Sequence, residues 1–487
     1  FDVEGRQKDR DSVLIDISSF FLGNIGQVSE KVQGGGSLAA LLGGGGGSFS
    51  PDREKSFIRT LKVFPENLFA EVTLSFSGRG AARGFEEVLG STFPVTADPR
   101  GLTLRVSYLL TVLPEASSYI PRRADSRVGF FQTAYRDWSR PDQRDQVVQS
   151  ITRWNLVKKD PRAALSEPVK PIVFWVDSAF PPQYRKTVAD AIASWNSAFE
   201  KIGFKNAVIV KQMTEKEDFD HADVRYNVVR LVASPSDAYA VANFRVNPLT
   251  GEILNAGITL DANFLRAIAG EWEMVGAPSD PVRHTGDDHA SHCAACQLQK
   301  KAAANAVIGA SAILLKEGPS AKERLAQFAD EFLFSVIQHE MGHILGLRHN
   351  FVASTQLSMA ELADPEKVKK HNTSASVMDY IPFNIQALGR PQVPFFGRGL
   401  GDYDYWAIRF GYSDTGIKDP DAEAKTLAAL ASQGSKWGLN YQTDEQAMSQ
   451  LDPYAVQFDM ASDPLQYHTA QAQLTHKLLM SLGTRKP

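Results

Sequence analysis

The feature that most constrains this chain is the run from His339 to His349, HEMGHILGLRH. Phe332, Leu333, Val336, Ile337, Met341, Ile344 and Leu345 recur at helical spacing, which predicts a helix from about Ala329 to Leu345 with one broad apolar face. Residues four apart on a helix lie one above the other, so the imidazoles of His339 and His343 can reach one ion from one face. Glu340 is rotated by about 100° from His339, which puts its carboxylate beside that ion and not on it. Gly346 can take the left-handed backbone that ends a helix, so the chain turns and His349 can return as a third ligand. Three neutral imidazoles leave one tetrahedral position open, the mark of a catalytic Zn²⁺ site holding one ion. His221, His371, His468 and His476 have no such spacing and read as surface or core residues.

A chain of 487 residues has room for a sizeable core and, at roughly 150 residues each, about three domains. Fifty-two basic against 56 acidic residues leave a net charge of -4 with no basic stripe, which argues against a nucleic-acid partner. No apolar run reaches the length of about 18 residues that spanning hydrocarbon requires, so no transmembrane segment is expected.

Residues 1–165 read as a β-rich accessory domain, with strands expected at 12–18, 67–77, 102–113, 128–138 and 151–157. Inside it, the glycine-rich stretch 34–48 reads as a flexible linker, since it lacks the Gly-Lys-Ser/Thr ending of a phosphate loop. From residue 166 strands alternate with helices. A buried strand is expected at 171–177, a helix at 181–202, strands at 207–210 and 224–232, and a hairpin from 241–246 and 253–260. An insertion over 263–328 carries an Ala-rich helix near 297–316, and the domain closes at 412 after a helix at 403–410. The fold class is α+β: a catalytic domain of mixed twisted sheet and active-site helix, preceded by the β-rich domain.

HEMGHILGLRH resembles the extended zinc signature of the metzincin endopeptidases. Ser376-Val377-Met378-Asp379-Tyr380 resembles the Met-containing turn of the astacin and serralysin branches, which implies Met378 beneath the metal and Tyr380 close to it. AIASW at 191–195 is similar to the Trp-bearing first helix of that clan, and GDYDYWAIRFGY at 401–412 to the helix under the Met turn. The resemblance gives Ile253 to Leu260 the place of the edge strand. DSRVGFF from Asp125, ITRWNLVKKDP from Ile151, SEPVKPIVFWVD from Ser166, DVRYNVVR from Asp223 and DPYAVQFD from Asp452 resemble the large bacterial secreted zinc-dependent metalloproteases, over most of the chain. Asn350, after the third histidine, departs from the astacin and serralysin patterns. Members of the bacterial family usually continue further, so 413–487 is expected to be a mostly helical and incomplete tail. Residue 1 is Phe, no leader precedes it, and the resemblance implies a periplasmic or extracellular location with the signal peptide removed or lying outside this sequence.

The resemblance implies a zinc-dependent endopeptidase acting on protein or peptide substrates, with Glu340 as general base and Tyr380 as donor to the oxyanion. Substrate is expected to add as a strand along Gly257, Ile258 and Thr259, with Ile381 to Arg390 walling a pocket. Two alternatives stand beside this reading: an inactive binding or assembly protein on the same fold, and a zinc hydrolase of a non-peptide substrate. Glu340 speaks against the first, because a structural clasp has no use for a base. Separately, His284 to Cys296 gathers His284, His289, His292, Asp287, Asp288, Cys293 and Cys296. Haem attachment is excluded by Gln297, while a Cys293–Cys296 disulfide, a structural metal and free thiols all remain open. Export favours the disulfide.

Overall fold

A computed structural model describes residues 3–9, 12–23, 49–78, 101–114, 119–139, 146–233, 239–269, 294–317 and 321–482. The glycine-rich stretch 34–48, the cluster from His284 to Cys293 and the side chain of Cys296 lie outside the described residues, and the linker and disulfide expectations with them.

The chain divides into two units. The first holds the described residues up to Pro114 together with Ala222–Val224. Here β1 (Val3–Gln7) and β2 (Ser12–Ile15) form an antiparallel pair, α1 (Ser18–Phe21) follows, and β3 (Phe49–Val63), β4 (Asn67–Gly78) and β5 (Gly101–Thr111) form an antiparallel sheet in that order. Alternate residues of β4, namely Ala70, Val72, Leu74 and Phe76, are buried and pair with Tyr108, Val106, Leu104 and Leu102 of β5. These apolar residues alternate with Glu71, Thr73 and Ser75, which puts them on one face of the sheet, and Phe21 of α1 packs against that face, 5.5 Å from the Tyr108 ring.

The second unit starts beyond Pro114. Phe130, Ile151 and Trp154 lie in its core. The strands expected there shrink to an antiparallel ribbon of β6 (Gln132–Arg136) and β7 (Val147–Ile151). After Ile151 the chain runs irregularly against the end of the active-site helix: the Phe131 amide donates to the Gly346 carbonyl at 2.8 Å, Thr152 N to Phe131 O at 2.7 Å, and the Trp154 indole to Ile344 O at 2.9 Å. Backbone groups used this way are not free for a strand ladder.

The main sheet comprises β8 (Ile172–Val176), β9 (Val208–Gln212), β10 (Asn227–Val232), β11 (Ala240–Val246) and β12 (Ile253–Asp261), in the order β11-β12-β10-β8-β9. All neighbours are parallel except β11, which runs antiparallel to β12. Between β8 and β9, the expected continuous helix is two: α2 (Pro182–Ala193) and α3 (Asn196–Glu200). They meet at the buried Trp195, whose indole donates to Gln338 O at 3.0 Å.

This order corrects the expected substrate strand. Gly257, Ile258 and Thr259 lie on β12, paired with Asn243, Ala242 and Val241 on one side and with Val228, Val229 and Arg230 on the other. An interior strand has its backbone groups already committed; the edges of the sheet are β11 and β9, and of these β11 lies beside the active-site helix through Ala240 and Ala242.

α4 (Ala262–Ala269) and α5 (Ala294–Lys316) follow the sheet, and then α6 (Ala321–Ile344), the active-site helix, begins eight residues before the expected start at 329. The insertion expected to end at 328 therefore runs into α6 itself. Beyond lie α7 (Pro365–His371), α8 (Asp402–Tyr412), α9 (Pro420–Ala431), α10 (Asp444–Ser449) and α11 (Pro464–Leu482). Among the described residues no helix is long and apolar enough to cross a membrane.

Candidate metal centre and its surroundings

α6 stops one residue after His343, and Gly346 has φ +94°. That conformation is strained for any residue with a side chain, and a Cβ here would overlap the Thr152 carbonyl. The turn brings His349 back, so that candidate ligand atoms of His339, His343 and His349 all lie within 4.8 Å of one another. Nε2 of His343 and His349 are 3.2 Å apart, and Nε2 of His339 is buried without a partner.

Each imidazole is held through its other nitrogen. His339 Nδ1 meets Val377 O at 2.7 Å, His343 Nδ1 meets Leu347 O at 2.8 Å, and His349 Nδ1 meets an Asp444 carboxylate oxygen at 2.9 Å. Carbonyl and carboxylate oxygens only accept, so each Nδ1 carries the proton and each Nε2 presents a lone pair. Burial, then the neighbouring His349, lowers His339 to about 3 and His343 well below its ordinary value, which keeps both in the neutral form that binds metal. Two nitrogens at zinc-ligand distance from a tetrahedral ion lie roughly 3.3 Å apart, close to the His343–His349 separation. The three residues therefore fit the group.

Glu340 is buried beside them, and burial pushes its carboxyl up to about 8 against the pull of the Ala242 amide on the edge strand β11. Tyr380 stands over the imidazoles, its ring 5.0 Å from that of His339 and 4.6 Å from that of His349. Phe458 stacks on Tyr380 at 5.9 Å and an interplanar angle of 12°. Met378 is fully buried in a turn under the helix, where Gly342 leaves the space for its sulfur: a Cβ on Gly342 would overlap it. Asp404 of α8 holds that turn, accepting from Ser376 Oγ at 2.6 Å, Val377 N at 3.0 Å and Gly401 N at 2.8 Å. A cavity of about 90 Å³ opens beside His339, Glu340 and Tyr380, with Phe264, Phe332, Val336 and Phe396 in its wall. Of the expected wall Ile381 to Arg390, Ile381 lines it.

Residues 321–487 match the family model described as Met-zincin. The cluster of His339, His343 and His349 fits the zinc motif of that family. Over residues 321–487 the chain is similar to the Met-zincins. Residues 1–159 match a second model, described as Domain of unknown function (DUF5117). No curated protein and no solved structure matches the chain. The Met-zincin segment carries all three histidines, Glu340, Met378 and Tyr380, whereas the sheet and its edge strand come from residues outside it.

Sequence reasoning missed Asp404, Asp444, Phe458, Ala242 and the carbonyls of Val377 and Leu347. For Asp444 a local signal exists: Thr443 and Gln446 form a capping box that marks the start of α10. It announces a helix, not a partner for His349.

Proposed function

We propose that this protein is a zinc-dependent endopeptidase. The observation that carries the reading is Glu340: a buried carboxylate beside three convergent imidazoles, on the side of the open sheet edge. His339, His343 and His349 would hold the ion, and zinc bound there supplies a Lewis acid that polarises a carbonyl and acidifies water.

Glu340 takes the proton from the attacking water and delivers it to the leaving amine. Its place supports this role, since it follows His339 on the helix and lies beside the convergent imidazoles without being one of the ligands. Tyr380, kept protonated by burial, donates its hydroxyl to the oxygen that gains charge. The turn that carries Met378 supports the imidazole of His339 through Val377 O.

A peptide in extended form can add to β11, whose outer backbone groups face the site as the Ala242 amide does. Main-chain pairing tolerates many sequences, which leaves the apolar cavity beside His339 to choose a side chain. Export from the cytoplasm belongs to the same proposal. A mixed peptide library digested by the purified protein and read by mass spectrometry tests it. Internal cleavage that stops on chelation and returns with stoichiometric zinc is the expected result. Bound zinc with no cleavage of any peptide would favour the inactive binding protein instead.

A further inference from the structure

His343 is oriented by the Leu347 carbonyl of its own turn and His339 by the Val377 carbonyl of the Met378 turn, whereas His349 alone is oriented by a charged side chain. Asp444 lies 95 residues beyond His349 in sequence. One carboxylate oxygen accepts from His349 Nδ1, and the other accepts from the Thr443 hydroxyl at 3.1 Å and faces Arg348 Nη2 at 3.5 Å. Arg348 is held in turn by Glu445 at 2.9 Å. The carboxylate is thus fixed on both oxygens and cannot swing away freely.

What brings Asp444 there is Asn350, the residue after the third histidine. Its side chain is fully buried, donates to Asn440 O at 3.0 Å and accepts from Gln442 N at 3.0 Å, while Phe351 N donates to Gln442 O at 2.7 Å. The side chain thus acts as a short piece of strand, seating residues 440–442 alongside the His349 segment. Two residues later the chain presents Asp444 at the start of α10.

We propose that Asp444 is a positioning residue for the metal centre: docked by Asn350, it orients His349 and raises its strength as a ligand, so the ion's affinity depends on the C-terminal segment. The inference rests on the metal-site reading of the three histidines. A carboxylate behind a ligating imidazole fixes the ring and increases its basicity, and losing such a partner weakens metal binding about 10–100-fold.

The test is zinc affinity of the full chain by competition with a chromophoric chelator, on wild type, Asp444→Ala, Asp444→Asn and Glu445→Gln, with the thermal midpoint of each zinc-free protein as a second readout. Asp444→Ala should weaken zinc by about 10–100-fold. Asp444→Asn should fall between it and wild type, because the amide oxygen still accepts from Nδ1 without the charge. Its near-identical shape keeps the comparison valid even where the alanine variant folds poorly. Glu445→Gln touches Arg348 but not His349, and should bind zinc like wild type. Wild-type uptake of one zinc with unchanged affinity in both Asp444 variants would overturn this proposal alone. A loss of affinity shared by Glu445→Gln, tracking a lower zinc-free midpoint, would overturn it as well, reducing Asp444 to a structural contact. Failure of the wild type to take up zinc would overturn the metal site and this proposal together.

Discussion

At the residue scale the site tolerates little change. Gly342 is bare because Met378 and Trp195 occupy the space where its side chain would be, and Tyr380 is confined among the rings of His339, His349, Phe351 and Phe458. The confinement separates two contributions of Tyr380, its ring and its hydroxyl. Tyr380→Phe keeps the ring contacts and removes only the hydroxyl, the proposed donor to the developing oxyanion. Turnover should fall about ten- to a thousandfold, with zinc content and thermal midpoint unchanged. Undiminished turnover would reduce Tyr380 to a wall of the site. The histidines and the place of Glu340 beside them were legible because helical spacing and the Gly346 turn set them locally, whereas Met378 and Tyr380 were expected through the resemblance of Ser376 to Tyr380 to a Met-containing turn. Asp404 and Asp444 were not, since nothing within a few residues of either says which backbone or imidazole it will meet.

At the element scale, the turn that ends α6 does as much as the helix. Gly346 supplies the positive φ, its carbonyl accepts from Phe131, and Arg348 N donates to Gly129 O at 2.9 Å, so the segment around residue 130 braces the return of His349. Gly346→Ala should cost about 1–3 kcal/mol from the backbone conformation alone, read as a lower denaturant midpoint, and should weaken zinc because His349 moves. An unchanged midpoint would mean the turn relaxes without cost. The bracing also shows why the strand reading overreached on either side of β6 and β7: the β-branched and aromatic side chains suit a strand equally well, but Phe131 N donates to Gly346 O, Thr152 N to Phe131 O, Arg153 N to Gly251 O and Trp154 N to the Tyr412 hydroxyl. The hairpin of β11 and β12 was legible from alternation and the Asn247 to Gly251 turn. Which of its strands lies outermost was not, because that depends on parallel pairing of β12 with β10, a contact no local pattern encodes.

At the scale of the whole molecule, the unit that carries the site closes on its C-terminal segment, which is more than a tail. Phe458 N donates to Tyr380 O at 2.8 Å, and Asp459 accepts from Ser354 Oγ at 2.9 Å while Asp379 accepts from Ser354 N at 2.8 Å. Burial raises Asp459 to about 7, and burial together with the Asp459 charge raises Asp379 well above the usual carboxylate range. Raised carboxyls stabilise the fold in their protonated form, so their contribution is full below the unfolded value near 4 and is lost as pH rises through about 7. Wild type should therefore lose thermal stability between about pH 5.5 and 8.5 more steeply than Asp459→Asn, which keeps the acceptor for Ser354 and cannot ionise. Equal slopes would remove the pair from the account.

The most direct measurement pairs peptide hydrolysis with zinc content for wild type and Glu340→Gln. The substitution keeps the shape of the side chain and all three imidazoles, and removes only the proton acceptor. The account predicts one bound zinc in both proteins and a fall in hydrolysis of about 10²–10⁴-fold or more in the variant. Hydrolysis at the wild-type rate with zinc still bound would contradict it.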